Sequence, residues 1–417
     1  MGSAVRALLL DAVGTVIRLR EPPARVYARV AESHGIGVDA AQLRRRLRAQ
    51  LARPPSLPLD GLQLSEVPER EREGWRLPAH YGDPEAEHQA VRASAGLVDE
   101  SARVVLRVTG SDRVEFLHGL TTNHIKEMKP AEGTYNAMLT PKGRAVGELI
   151  VYALADHLLL DIPPECADAV QKALDFYHFS EEVEFTDVSA RRVVLGLHGP
   201  KAAGLLEKVS TFTVNDLPDY HLRRGSLGGV DVMVARVNRT GEDGFEIHGP
   251  AESAEALWKA LTEGGAAPVG QEAMETLRIE AGIPRFGTEL DERVIPWEAG
   301  LDHAIHLNKG CYVGQEVIAR MEYLGKVARK LVALRLEGTI VPSEEAEVRD
   351  GDEAVGRVTS ACVGPTVGGP VALAYVKRNW AEEGTVLGVE NDGDILTATV
   401  AKRPLAGSVP PPRESRG

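Results

Sequence analysis

The sequence predicts an α+β protein: antiparallel sheets with helices on one face, then a small C-terminal β-barrel or sandwich, preceded by a partial α/β segment. Three observations predict it. Between Arg103 and Ala281, short alternating strands and hairpins are interleaved with segments of helical period. From Gly325 to Arg403 the chain is rich in short strands and dotted with glycine. Ahead of both, an apolar run, "RALLLDAVGT", leads into two short helical stretches.

Taken in order, Arg6 to about Leu77 reads as strand, loop, helix, helix. Leu43, Leu47 and Leu51 fall four apart on one stripe, while Arg44, Arg45, Arg46 and Arg48 take the other faces as a solvated surface. The Pro-, Glu- and Arg-rich stretch from Pro54 to Pro78 reads as a linker. Arg103 to Gly110 alternates like a strand, and "SDRVEFLHGL" follows as a helix capped by its serine. Tyr135 to Ile162 is a meander whose first turn, Thr140-Pro141-Lys142-Gly143, has proline and glycine where a tight turn uses them. Helix "PECADAVQKALDFYHF", strand "VEFTDV", strand "RRVVLGLHG" and helix "PKAAGLLEKV" come next, then a strand at Val230–Val237 and helices near 254–261 and 271–281. The expected division is 1–77, 78–324, a barrel at 325–404 and a disordered tail at 405–417.

Composition narrows the function. The 417 residues are 43% hydrophobic and 26% charged, enough for roughly two to four soluble domains. The most apolar patch, Leu149 to Ile162, is interrupted by Asp156, His157 and Asp161, so no membrane helix is expected, and no leader pattern opens the chain. A cytoplasmic protein is the expectation. A net charge of −13 argues against generic nucleic-acid binding. Cys166, Cys311 and Cys362 are far apart, which argues against a disulfide framework and against a structural zinc site.

The densest chemistry lies in "NKGCYVGQEVIAR", from Asn308 to Arg320. Gly310 and Gly314 permit sharp turns or a close backbone approach to a ligand. Val313, Val317, Ile318 and Met321 have helical spacing, and Glu316 and Arg320 are spaced for a supporting ion pair. Cys311 is then expected at a helix entrance with Lys309 beside it, a setting that favours the thiolate as nucleophile, redox centre or soft metal ligand. The plainer reading is a half-buried cysteine in a glycine turn. His303 and His306 precede the motif without metal-ligand spacing.

"KGCYVGQE" resembles the signature of the YgfZ-type folate-binding proteins, which include mitochondrial assembly factors for iron–sulfur enzymes. The resemblance covers about Tyr81 to Arg403. It is supported by "TPKGR" at Thr140, "TGEDGFEI" at Thr240, "LRIEAGIPRFGTEL" at Leu277 and "IPWEAGL" at Ile295, motifs shared with the wider glycine-cleavage T-protein (aminomethyltransferase) superfamily. The resemblance implies three subdomains ringed around a channel for tetrahydrofolate or a one-carbon derivative, the last subdomain a barrel. It implies that the Glu242 carboxylate holds adjacent pterin N–H groups, that Tyr135 contacts the ring, and that Arg278 and Glu280 brace the channel. It further implies an accessory protein for iron–sulfur cluster assembly or repair, partnered by assembly proteins or client enzymes. There Cys311 and Lys309 would act as the reactive pair, with Gly310, Gly314, Gln315, Glu316 and Arg320 around them. The superfamily's transferases carry paired aspartates where this chain has Gly147-Glu148, and Arg-Asp where it has Met274-Glu275. These departures weigh against glycine-cleavage turnover. They leave a folate-dependent aminomethyltransferase acting through Glu148 as the alternative.

"DAVGT" at Asp11 resembles the opening motif of haloacid-dehalogenase-type hydrolases, through about Trp75. The second aspartate of the phosphatase members is Val13 here, and the later lysine and acidic motifs are missing. A silent, truncated remnant is the expectation; a hydrolase acting through Asp11 is the weaker alternative.

Overall fold

The computed structural model describes residues 69–72, 75–324 and 327–407. The Asp11 motif, the arginine-rich helix and the tail from residue 408 lie outside the described residues. Strands β1 (Glu69–Arg72) and β2 (Trp75–Pro78) pair as a hairpin inside the stretch expected to be a linker, with Arg70 facing Leu77.

A five-stranded sheet contains β4 (Val104–Thr109), β5 (Gly133–Leu139), β6 (Ala145–Ala153), β7 (Leu158–Ile162) and β8 (Glu184–Asp187) in the order β5-β6-β7-β4-β8. The β5–β6 turn closes with the Gly143 N–H donating to Thr140 O at 2.9 Å. Gly143 has φ +70°, a left-handed conformation that suits glycine. Helix α2 (Arg113–Leu120) and helix α3 (Pro164–Tyr177) pack their apolar residues into the core that this sheet forms. The expected serine cap of α2 does not form: Asp112 takes the cap position, and Ser111 Oγ donates to the Asp112 and Glu182 carboxylates instead.

A six-stranded sheet runs β10 (Leu222–Leu227), β11 (Val230–Arg236), β12 (Gly244–Pro250), β9 (Arg192–His198), β3 (Gly96–Asp99) and β13 (Ala267–Pro268); only the β13–β3 pair is parallel. Helices α4 (Ala202–Val209) and α5 (Ala254–Glu263) cover one face through Leu205, Leu206, Leu257 and Trp258. The two sheets meet through Val105, Ile150, Tyr152 and Leu159 on one side and Val194, Met233 and Ala235 on the other.

Helix α1 (Pro84–Ala93) is capped by Asp83, whose carboxylate accepts from two backbone N–H groups. It lies against α6 (Gln271–Ala281), which ends at Gly282 with φ +69°. The last six strands close a barrel: β14 (Arg329–Leu336), β15 (Glu347–Asp350), β16 (Glu353–Gly364), β17 (Gly369–Lys377), β18 (Val386–Asn391) and β19 (Asp394–Ala401). Closure removes the open edges that short glycine-dotted strands would otherwise expose. Leu331, Ala333, Val371, Leu373 and Tyr375 join the core of the five-stranded sheet, so barrel and sheet share apolar packing. No helix of the described residues is long and apolar enough to cross a membrane.

Candidate active site

A cavity of about 670 Å³ opens where the two sheets, α6 and the residues after β19 come together. That size suits a small-molecule ligand. Tyr135 on β5 and Glu148 and Ile150 on β6 line one end. Tyr135 pairs with Ile150 across the ladder, which makes Glu148 its diagonal neighbour, within reach of a long side chain. The Tyr135 phenol donates to the Glu148 carboxylate. Burial pushes the Glu148 carboxyl up; the phenol, Arg239 and Arg103 pull the other way without cancelling it. Tyr135, Tyr220 and His303 form an aromatic group beside this carboxylate. The His303 ring is 5.1 Å from Tyr135 and stacks on Tyr220 at 4° and 6.5 Å. Burial lowers His303 to about 4, so it is neutral at pH 7.

The position before Glu148 is closed to a second acidic side chain for a steric reason. A side chain on Gly147 would place its first carbon 2.3 Å from Val170 Cγ2 and 3.2 Å from Cys166 Cβ, both on α3. The helix therefore fills the volume that a second aspartate would need.

Behind this end lies a buried polar layer. Arg103 and Arg239 line the cavity, and each is held by a carboxylate that does not: Arg103 Nε donates to Asp161 at 2.7 Å and Arg239 Nε to Glu246 at 2.5 Å. Burial pushes Asp161 up against the pull of Arg103. Burial would also raise Glu246, but Arg239 and Arg103 hold it low. Asp161, Glu246 and His248 have a spacing that could hold a metal ion, yet the two guanidiniums already occupy the carboxylates, and a divalent ion would add positive charge beside them. No metal role is assigned to the group.

The other end is basic. Arg70, Arg278, Arg285 and Arg403 line it, with Met274 and Glu275 from α6. Arg278 is fully engaged: it donates to Glu275, to Glu289 at 3.0 Å, to Ser360 Oγ at 2.6 Å and to Ile283 O. It ties α6 and the following loop to β16, a bracing role for which its guanidinium is already committed.

Other expected site residues lie elsewhere. Glu242 is buried but does not line the cavity; Arg92 Nη1 donates to it at 3.0 Å, so the expected pterin carboxylate is held in a protein ion pair. Four residues on, in the same motif, Glu246 is the carboxylate linked to the cavity through Arg239. The sequence signal was present but ambiguous, since "TGEDGFEI" offers two glutamates on opposite sides of a turn. Glu280 pairs with His88 and Arg92 rather than facing the cavity.

The cysteine motif also stands apart. Cys311 is exposed and does not line the cavity. The helix it was expected to enter, α7, spans Gln315–Leu324 and so begins four residues later. Lys309 is buried and turns inward: its Nζ donates to His118 O at 2.7 Å and Thr121 O at 2.5 Å, at the end of α2. His118 Nε2 meets Lys309 O in return at 2.8 Å, and Ile125 N–H donates to its Nδ1 at 3.3 Å, which places the ring proton on Nε2. The lysine is thus committed to carbonyls, not to the thiol. Gly310 takes φ +100°. A side chain on Gly314 would meet Thr140 O at 2.6 Å, and one on Gly143 would meet Val317 Cβ at 2.9 Å, so the two glycine motifs pack on each other. Tyr312 and Ile318 fill the core, and Gln315 N–H donates to Tyr312 O. Glu316 and Arg320 are exposed, and the expected ion pair between them is not formed. The motif docks α7 against α2 and the β5–β6 turn.

Comparison with known proteins then separates the readings. The GCVT N-terminal domain matches residues 68–309, and the glycine cleavage T-protein C-terminal barrel domain matches 329–406. The chain belongs to the glycine cleavage T-protein family. T-protein relatives named aminomethyltransferase include one from Nostoc sp., 33% identical over 80% of this chain and 90% of its own length. One from Bacillus subtilis is 32% identical over 80% and 93%. The crystal structure of the glycine cleavage system aminomethyltransferase T from Bartonella henselae superposes with a TM-score of 0.75 at 28% identity, covering 82% of this chain and 95% of that one. T-protein family members use tetrahydrofolate as substrate or cofactor, in line with the folate expected from the sequence. The iron–sulfur accessory reading is overturned: the relatives that span the chain are transferases by name, and the cysteine on which that reading rested lies off the cavity.

Proposed function

We propose that this chain is a folate-dependent transferase of one-carbon units, with Glu148 as its acid–base group. One observation carries the reading: the Glu148 carboxylate, contacted by a phenol, lies in the wall of the cavity beside an aromatic group. The residues suit tetrahydrofolate. Tyr135, Tyr220 and His303 offer flat faces to a pterin, and the cavity volume suits the ligand. When bound, tetrahydrofolate supplies the ring nitrogen that takes up the carbon unit. Glu148, in its ionised form, accepts a proton from a nitrogen brought against it, and burial, by raising its affinity for protons, favours that uptake. Tyr135 aims the carboxylate. His303, being neutral, adds no charge to the site.

We take 78–324 as the domain that builds the folate site and 325–404 as the barrel that closes it. The hydrolase-like opening at Asp11 has no step in this reaction. The test is formation of methylene-tetrahydrofolate from tetrahydrofolate and a methylamine-type or aminomethyl donor. Glu148→Gln should abolish it and Cys311→Ser should spare it. Loss in the serine variant with turnover retained in the glutamine variant would reverse the assignment.

A further inference from the structure

Among the described residues, the arginines along the cavity differ in how they are neutralised. Arg103, Arg239, Arg278 and Arg285 each contact a carboxylate: Asp161, Glu246, Glu275 with Glu289, and Glu275. Arg403, two residues past β19, makes no ion pair. Its Nη1 donates to Gly282 O at 3.0 Å and Ala299 O at 3.2 Å, and its Nη2 to Ala299 O at 3.1 Å. Carbonyl dipoles orient a guanidinium but offset less of its charge than a contacting carboxylate does; Asp302 and Glu289 act on Arg403 without forming an ion pair with it, and in a partly desolvated wall the remaining positive charge favours an anion. Desolvation correspondingly lowers the proton affinity of Arg403, opposite to the rise at Arg103 and Arg278.

The backbone is shaped around this side chain. A side chain on Gly300 would start 2.3 Å from Arg403 Nη2, and one on Gly282 would start 2.6 Å from Arg403 Cδ. Both glycines have left-handed φ, +77° and +69°. Two turns therefore leave room for one guanidinium at the cavity wall. Gly300 is also three residues from His303, the ring beside Tyr135, so the two positions are at most about 11 Å apart along the cavity.

We propose that Arg403 is the anchor of a carboxylate subsite in the wall of the cavity. The proposal rests on the folate reading above for the identity of the ligand, and two sources share the chemistry: the glutamyl carboxylates of a folate, or the carboxylate of the one-carbon donor.

Calorimetry on the full chain separates the outcomes, with tetrahydrofolate, tail-less 6-methyltetrahydropterin and N-methylglycine as probes. Arg403→Gln should weaken tetrahydrofolate by about 10- to 100-fold and leave the tail-less pterin within about twofold, which assigns the subsite to the glutamyl tail. Loss confined to N-methylglycine assigns it to the donor. Equal binding of all three by wild type and variant overturns the subsite, as does a uniform loss of all three, the mark of a purely structural staple. Should Arg403→Gln not fold, Arg403→Lys is read by the same pattern. Wild-type protein that binds neither pterin defeats the folate reading instead, and N-methylglycine binding then tests Arg403 on its own.

Discussion

Glu148 shows how one side chain takes its chemistry from its surroundings. Burial raises its carboxyl and the Tyr135 phenol opposes the rise, so the two residues make separable predictions. Glu148→Gln should lower kcat by about 10²- to 10⁴-fold, the range for loss of a positioned acid–base group, measured as methylene-tetrahydrofolate formation. Tyr135→Phe removes an interaction that favours the ionised form. The acidic limb of the pH–rate profile should then move to higher pH, and an unmoved limb would separate the phenol from the carboxylate's titration. Lys309 is a second case. Burial lowers it to about 7 against an ordinary value of 10.5, because its partners are neutral carbonyls and Lys126 lies near. Between those values the unfolded chain binds the proton that the folded chain has released, so stability rises with pH from about 7 upward. Denaturant unfolding at pH 6.5 and pH 9 should show that increment in the wild type and lose it in Lys309→Met.

At the scale of elements, α6 works as a bolt. On one side Glu280 accepts from His88 Nε2 and Arg92 Nη2 of α1, both at 2.8 Å; on the other it accepts from the Thr366 N–H of the barrel at 2.9 Å. Burial would raise this carboxyl, but His88 and Arg92 overcome it and hold it at about 2. A depressed carboxyl stabilises the fold above the ordinary carboxylate range, and that contribution is lost as pH falls toward 2. Acid unfolding of Glu280→Gln should accordingly show a shallower pH dependence than wild type, from a lower starting stability. The β6–α3 contact gives an independent prediction. Gly147→Asp places a second acidic residue beside Glu148 in sequence but drives the new side chain into Val170 and Cys166. It should cost about 1–3 kcal/mol by thermal denaturation and give no gain in turnover.

For the whole molecule, the site exists only where separate cores converge. Arg278 is the clearest link: one buried guanidinium joins Glu275 on α6, Glu289 in the loop and Ser360 on β16. Arg278→Met leaves the buried Glu289 without its cation, while Glu275 keeps Arg285, and should cost about 3–5 kcal/mol, read as a fall in the unfolding midpoint. Since the same link frames the basic end of the cavity, tetrahydrofolate affinity should fall with it. Unchanged affinity in a destabilised variant would show that the cavity keeps its shape without the brace.

Local pattern alone made the elements legible. Helix α6 was legible from Gln271 to Ala281, the β5–β6 turn from Thr140-Pro141-Lys142-Gly143, and the C-terminal strands from a short, glycine-dotted pattern that by itself fits a barrel or a sandwich. These follow from periodicity and turn chemistry, which act over a few residues. Tertiary structure alone decided that Cys311 faces solvent, that Lys309 reaches carbonyls nearly two hundred positions earlier in the chain, and that Glu242 pairs with Arg92 while Glu246 serves the cavity. It also brought Arg403 into the cavity between two glycines that the sequence places more than a hundred residues away. The physical reason is common to all four. A side chain's direction is fixed by its element, but its partner is fixed by which elements pack together, and that depends on the burial of whole sheet and helix faces rather than on any short run of residues.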